Sequence, residues 1–543
     1  MQDAPLVTTA ILDYAAKWHG ETEVLSVTAE GVLETSNWQN VARRSKLCAR
    51  ALKKLGIRPG DRVATLAFNN VRHLECWYGC GGIGAITHTL NPRLFEDDLA
   101  YIINHAQDIV ILADTTFVRL LEALQPRIRA CVKHIVFLTD RRHMPKHTEL
   151  QGALCYEELL EQESAGLQGF KWEVRDERQA CGLCYTSGTT GPPKGVLYSH
   201  RSNFLHAFVI AMPDTLDLRG GSTILMVVPM FHANSWGLVF AAPMVGARLV
   251  LPGPFLDGAS MHRLMEEQGV THTAGVPTVW LGLQAHMEQH QLRLSSLKML
   301  AVGGAACPRR IIEFFDGHGV EVRQLWGMTE LSPAGTIGAV KASMGRLEGE
   351  ALVQLKLKQG RPHALLDMRI VGEGGQELPR DGKAFGNLQV RGPTTLSQYF
   401  KSDSPATDEE GWFDTGDVAT IDEFGYMQIT DRSKDVIKSG GEWISSLEVE
   451  NAAVGHAGVA EAAVIAIPHD KWGERPLLVV VAKEGQSPTR DDILSYLDGK
   501  IAKWWIPDDV VFVKEIPHTA TGKISKLSLR RSFASHKPHR SRM

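Results

Sequence analysis

The stretch Tyr185-Thr-Ser-Gly-Thr-Thr-Gly-Pro-Pro-Lys-Gly-Val196 constrains the chain more than any other. It is rich in hydroxyls and glycines and carries a lysine near its end. Glycine admits positive φ and lets backbone N–H groups come close to an anion. Thr186, Ser187, Thr189 and Thr190 add hydroxyls, and Lys194 adds a compact positive charge. Gly182-Leu183 leads in and Val196-Leu-Tyr198 leads out, so the order reads strand, loop, strand. A cluster of Gly, Ser and Thr alone is an ordinary loop. The flanking strands and the lysine are what point to a polyphosphate. The pattern is not that of the P-loop, because Gly188 is not followed by Gly-Lys-Ser/Thr at the required spacing.

A chain of 543 residues is too long for one hydrophobic core, which predicts two or more domains. Its charge is nearly balanced, with Lys+Arg 58 against Asp+Glu 62. No broad basic surface follows, so nucleic acid is not an expected partner. There is no run of about 18 apolar residues, and no integral membrane segment is expected. The nearest candidate, 238–250, is short, is interrupted by Pro243 and Arg248, and reads as buried core. The N-terminus has no basic and apolar leader, so no signal peptide is expected. The eight cysteines are scattered, as suits a reducing compartment. Cys181-Gly-Leu-Cys184 has no second pair or histidine cluster to make a zinc site and reads as buried residues entering the loop. The expected location is cytoplasmic. Ser541-Arg542-Met543 resembles the small–basic–apolar peroxisomal tripeptide, which leaves a peroxisomal alternative.

Along the chain, Asn37 to Leu55 follows a helical pattern with Val41, Leu47, Ala51 and Leu55 on one side and Ser36 as the expected N-cap. Arg62 to Phe68 reads as a strand, and a further helix is expected to open at Asn91-Pro-Arg93. Short apolar strands alternating with helices predict a parallel α/β sheet. After the phosphate loop a second such series follows. A buried strand is expected from Thr223 to Pro229, running into Met230-Phe-His-Ala-Asn-Ser-Trp236. Thr273 to Trp280, Met299 to Ala306 and Val320 to Glu330 are three more strand-to-loop transitions, and such strand ends are where α/β sheets place ligands. From about Gln359 short strands between Gly/Pro turns mark a β-rich subdomain. The fold class is α/β. A large N-terminal domain (1–430), made of two α/β subdomains and the β-rich one, is expected to precede a small mobile α+β domain (436–543).

Six motifs occur in a fixed order: Tyr185–Val196, Val302-Gly-Gly-Ala-Ala306, Trp326-Gly-Met-Thr-Glu330, Gly411-Trp-Phe-Asp-Thr-Gly-Asp417, Asp431-Arg-Ser-Lys-Asp435 and Pro517-His-Thr-Ala-Thr-Gly-Lys523. Together they resemble the signature set of the adenylate-forming superfamily of acyl-CoA synthetases, beetle luciferases and nonribosomal adenylation domains. The resemblance covers nearly the whole chain. Val228-Pro-Met-Phe-His232 and Lys438-Ser-Gly-Gly-Glu-Trp443 are similar to the medium- and long-chain fatty acyl-CoA ligases. The reaction this implies has two steps. A carboxylate attacks the α-phosphate of ATP, and CoA thiolate then attacks the acyl-adenylate. ATP, Mg²⁺ and coenzyme A are the implied cofactors and co-substrates.

The resemblance also implies roles. Lys194 and the loop residues Thr186, Ser187, Gly188, Thr189 and Thr190 would hold phosphates, with Thr189 and Glu330 as oxygen ligands for Mg²⁺. Gly303, Gly304 and Ala305 would let the backbone lie flat against adenine, with Trp326, Gly327 and Thr329 beside it. Trp326 reads equally as a core aromatic. Asp417 would bind the ribose, although alone it reads as a turn aspartate. Lys523 would bridge the carboxylate and the α-phosphate. Residues 431–435 would be the hinge, with Arg432 beside Lys434 at the hinge position. Many relatives have Asp there, and this chain has Lys. Lys438, Gly440, Gly441 and Trp443 would line the CoA channel, where the glycine pair also reads as a plain turn. His232 would border the carboxylate and Trp236 would gate the acyl tunnel, against a reading as core His and core Trp.

The substrate expected on this basis is a short- to long-chain aliphatic carboxylic acid. An aryl-acid CoA ligase and an adenylation enzyme loading a carrier protein in trans are the alternatives. A non-catalytic relative is disfavoured, because Thr189, Glu330, Asp417 and Lys523 are all present. Dimerisation is common in such ligases, so a homodimer is admitted. Leu325 occupies a position that is often small in relatives with deep acyl pockets. Its volume predicts a shortened tunnel. Leu325→Gly should therefore move the optimum chain length upward in an acid panel, and an unchanged profile contradicts the expectation.

Overall fold

The computed structural model describes residues 2–186, 192–440, 442–518, 524–534 and 536. The chain packs as two compact units, Met1–Leu366 with Gly392–Gly411, and Asp367–Arg391 with Trp412–Met543.

The first unit holds two sheets. Among the described residues one has the strand order Leu154–Cys155, His134–Phe137, Asp108–Ala113, Arg62–Leu66, Ile86–Thr89, Ala180–Thr186, Lys194–Ser199. It is parallel except for the last pair, an antiparallel hairpin whose Thr186 lies opposite Lys194. The strand–loop–strand reading is therefore what the structure has on both sides of residues 187–191, which lie outside the described set. The second sheet runs Arg361–Pro362, Ala334–Ile337, Glu321–Gly327, Met299–Val302, His272–Gly275, Thr223–Leu225, Arg248–Leu251, Glu23–Val27, Leu33–Asn37. Its central strands are parallel, so their C-terminal ends share one edge.

Three local expectations need correction. The helix Trp38–Lys54 is capped by Asn37 rather than Ser36, because the Asn37 side-chain oxygen Oδ1 accepts from Asn40 N–H at 2.8 Å while Ser36 Oγ accepts only from the Asn40 side-chain amide. The helix after Asn91 starts at Glu96, with three acidic residues in its first turn complementing the N-terminal dipole. The strand at Thr223 ends at Leu225. Beyond it Asn69, buried, donates to the carbonyls of Met226 (2.7 Å) and Val228 (2.8 Å) and accepts from Met230 N–H (2.7 Å). A side chain takes over the backbone groups that a strand neighbour would otherwise satisfy.

The second unit contains a four-stranded antiparallel sheet, Asp367–Val371, Phe385–Arg391, Phe413–Ile421, Met427–Arg432, which is the β-rich element expected. It is followed by an α+β layer built on Val459–His469 and Gly473–Ala482. Contacts run between the sheet and this layer. Asp431 Oδ2 accepts from Ser446 N–H at 2.7 Å, Ser445 Oγ bonds Thr430 O, and Lys438 pairs with Glu373 at 3.0 Å. These bonds join the β-sheet to the segment after it. No helix among the described residues is long and apolar enough to cross a membrane.

Several histidines in the first unit are buried in their neutral form. Burial lowers His73 and His200 to about 4 and His206 to about 3. Unfolded imidazole titrates near 6.5. A histidine with a lowered folded pKa contributes stability that is complete above 6.5 and lost as pH falls toward the folded value. At pH 5 the loss is about 2 kcal/mol for each such group. The melting temperature should fall steeply between pH 7 and 5 and change little through these groups above pH 7. A flat profile between pH 7 and 5 contradicts this.

Candidate active site

In the first unit the C-terminal strand ends converge. Gly275 pairs with Val302 and Val302 with Gln324, so Val276, Gly303 and Leu325 follow in register on neighbouring strands. Gly303 is without a side chain for a steric reason. A Cβ there would stand 2.9 Å from Leu325 O and 3.0 Å from the Trp236 ring. Gly304 follows with φ +79 and presents its Cα side to Val276 and the same indole. Ala305 is exposed at the lip. Trp326 is buried over Gly335, where a Cβ would meet the indole at 2.5 Å. Leu325 and Trp236 belong to one apolar cluster with Ala334 and Ile337.

Trp236 is held there by an unusual backbone. Ala233, Asn234, Ser235 and Trp236 have φ of 44, 59, 54 and 51, and Gly237 continues at 80. Four successive non-glycine residues thus form a left-handed turn directly after His232. It is tethered on several sides. The Cys184 sulfur lies against the Ala233 and Asn234 backbone. Asn234 donates to Asn203 Oδ1 at 2.9 Å, and Ser235 Oγ donates to Val228 O at 2.5 Å. Asn203 in turn donates to Cys181 at 3.3 Å, so both loop-entry cysteines are buried and bonded to this assembly.

A second group of the expected residues sits on and beside the hairpin. Lys194 is exposed at its open end, opposite the half-buried Thr186. Glu330 is buried. Its Oε1 accepts from the Tyr399 hydroxyl at 2.9 Å, and the Lys194 ammonium lies 4.9 Å from the centre of the Tyr399 ring. The carbonyl of Thr329 accepts from the Tyr198 hydroxyl at 2.8 Å. A buried carboxylate is an oxygen donor of the kind Mg²⁺ prefers, so Glu330 fits that ion. The side-chain-free strip at Gly303-Gly304 fits a flat ring.

In the second unit Asp417 is buried and pairs with Arg432 Nε at 2.9 Å across the sheet. Lys434 is lowered by burial and by the nearby Arg432 and Arg530 charges. Its carbonyl accepts from Arg530, which also pairs with Asp435. Lys438 sits over the Trp443 ring at 5.2 Å. Gly440, with φ +61, donates its N–H to Trp472 O at 2.8 Å, and a Cβ there would meet the Trp472 ring at 2.8 Å.

Ser187, Gly188, Thr189, Thr190, Gly441 and Lys523 lie outside the described residues, as does the C-terminal tripeptide. Of the expected residues in the first unit, the structure brings Gly303, Gly304, Trp236 and Leu325 into contact and joins Glu330 to Lys194 through Tyr399. Tyr399 and Asn203 were not singled out from sequence, and Cys184 was read only as a buried residue entering the loop. Tyr399 stands in a segment without a motif, and cysteine and asparagine beside an apolar strand carry no signal for a tether.

The AMP-binding enzyme family matches residues 12–400, and the AMP-binding enzyme C-terminal domain matches 448–523. The chain belongs to the AMP-binding enzyme family. The 3-methylmercaptopropionyl-CoA ligase of Ruegeria lacuscaerulensis is 47% identical over 98% of this chain and 98% of its own length. The medium-chain-fatty-acid–CoA ligase of Ectopseudomonas oleovorans is 47% identical over 97% of this chain and 96% of its own. Among solved structures, the anthranilate CoA ligase AuaEII in complex with anthranoyl-AMP superposes with a TM-score of 0.83 at 25% identity, covering 98% of this chain and 99% of that one. This AMP-binding enzyme therefore has the mixed α/β architecture of adenylate-forming enzymes, with a smaller C-terminal domain.

Gly303→Ala tests the glycine strip. Its Cβ would force Leu325 O or Trp236 to move, and kcat/KM for ATP should fall by about tenfold or more. Unchanged ATP kinetics would show that the strip has room to spare.

Proposed function

We propose that the acid is a short- to long-chain aliphatic carboxylic acid. The observation that carries this is the apolar wall of Trp236, Leu325, Ala334 and Ile337 beside the Gly303-Gly304 strip. The enzyme is an AMP-forming acid–CoA ligase that uses ATP with Mg²⁺ and CoA. A carboxylate oxygen attacks the α-phosphorus, forming a C–O–P linkage while the α–β bond breaks and pyrophosphate leaves. The CoA thiolate then attacks the acyl carbon, forming the thioester and expelling AMP. The first step brings an anion to a polyanion, so neutralisation and alignment supply most of the rate.

On this reading Lys194, Thr186 and the loop residues 187–190 hold the β- and γ-phosphates. Thr189 and Glu330 hold Mg²⁺, which supplies charge neutralisation when bound. Adenine lies along 303–305 with Trp326, Gly327 and Thr329 beside it, Asp417 holds the ribose, and His232 borders the carboxylate. Trp236 gates the acyl tunnel and Leu325 limits its depth. Lys523 approaches the α-phosphate and carboxylate, and residues 431–435 form the hinge that carries it away. The Arg530 grip on Asp435 and on the Lys434 carbonyl supports a hinge coupled to the last helix, Lys526–Ser532. Lys438, Gly440, Gly441 and Trp443 then meet CoA. A cytoplasmic location and a homodimer belong to the same reading.

A short thioether acid is a specific member of the aliphatic class. The name of the Ruegeria relative and the volume of Leu325 favour it.

The test is acyl-CoA formation across straight-chain, thioether and aryl acids. A maximum at an aliphatic acid supports the proposal, and a maximum at an aryl acid contradicts it. Lys523→Ala should lose adenylation about a hundredfold or more while retaining thioester formation from supplied acyl-adenylate. Equal loss in both half-reactions contradicts its role.

A further inference from the structure

The segment Thr394 to Phe400 lies across two motifs that the sequence places far apart. Ser332 Oγ donates to Thr394 O at 2.9 Å, Leu396 N–H to Glu330 O at 2.7 Å, and Phe400 N–H to Gly195 O at 2.8 Å. The strap is thus stitched at one end to the turn bearing Glu330 and at the other to the residue after Lys194. Between the stitches stands Tyr399. Its hydroxyl donates to Glu330 Oε1 at 2.9 Å and its ring face lies under the Lys194 ammonium at 4.9 Å.

We infer that Tyr399 is a positioning residue that sets both charges of the phosphate and metal site. A carboxylate oxygen that accepts a hydroxyl proton is fixed in rotamer and direction. A buried carboxylate held in this way needs less reorganisation when an ion arrives. The ring performs a separate task. Its negative face holds the ammonium at the hairpin exit, where Lys194 would otherwise sample many rotamers. One side chain therefore couples the anion-binding and cation-binding halves of the site. The inference rests on Glu330 as a metal carboxylate and Lys194 as a phosphate contact.

The two tasks separate by substitution. Tyr399→Phe removes the hydroxyl and keeps a ring under Lys194. Tyr399→Leu removes both. The readout is Mn²⁺ binding in the presence of a non-hydrolysable ATP analogue, followed by the paramagnetic resonance signal of free Mn²⁺, together with KM for ATP and for the acid. Tyr399→Phe should weaken Mn²⁺ binding about tenfold and leave KM for the acid within about twofold. Tyr399→Leu should add a rise of about fivefold in KM for ATP. In a Glu330→Gln background Tyr399→Phe should add nothing further to the metal shift. If Glu330→Gln weakens Mn²⁺ binding but Tyr399→Phe does not, the inference is overturned alone. If Glu330→Gln itself leaves Mn²⁺ binding unchanged, the metal reading of Glu330 fails and the inference falls with it. Equal shifts in Mn²⁺ binding and acid KM would reduce Tyr399 to general packing and also overturn the inference.

Discussion

The edge of the first unit where the Gly303-Gly304 strip meets Trp236 depends on a left-handed turn. L-residues resist that conformation, at a cost of about 1–2 kcal/mol each. With four non-glycine residues in it, Ala233 to Trp236, the turn costs roughly 4–8 kcal/mol. It persists because its surroundings fix it from several directions. The Cys184 sulfur lies against its backbone, Asn203 takes the Asn234 amide, and Val228 O takes the Ser235 hydroxyl. Gly237 closes the turn against the His206 ring, where any side chain would come within 2.4 Å of Nδ1. The consequence is a tryptophan laid against Gly303 and Gly304 and an apolar wall running on from it.

Charge is handled by the same economy of parts. A reaction between a carboxylate and a triphosphate needs cations and fixed dipoles, yet a cluster of free cations in an empty site would repel itself. In the first unit Lys194 is held by an aromatic face and Glu330 by a hydroxyl, both from Tyr399. In the second unit Asp417 is neutralised by Arg432, and Lys434 is lowered by burial and neighbouring cations. Lys194, Glu330 and Asp417 thus each have a partner already in place.

Much of the fold was legible because parallel strands read as short apolar runs between glycine-rich turns. The hairpin around residues 187–191, the strand ends at Gly303 and Trp326 and the antiparallel sheet after Gln359 all follow from such patterns. What was missed has physical reasons. The strand at Thr223 stops early because a distant side chain, Asn69, captures the backbone groups after it. The turn at Ala233 was hidden because Ala, Ser and Trp carry no preference for positive φ, and only its tertiary tethers impose it. Tyr399 was invisible because its meaning lies in two contacts separated from it by 69 and 205 positions in the numbering of Glu330 and Lys194.

The central claim is that the acid is activated as an acyl-adenylate before CoA takes part. Exchange of labelled pyrophosphate into ATP, measured without CoA, tests it most directly. The account predicts exchange that requires both the acid and Mg²⁺ and proceeds with CoA absent. Exchange that appears only when CoA is added would contradict a separate adenylation step.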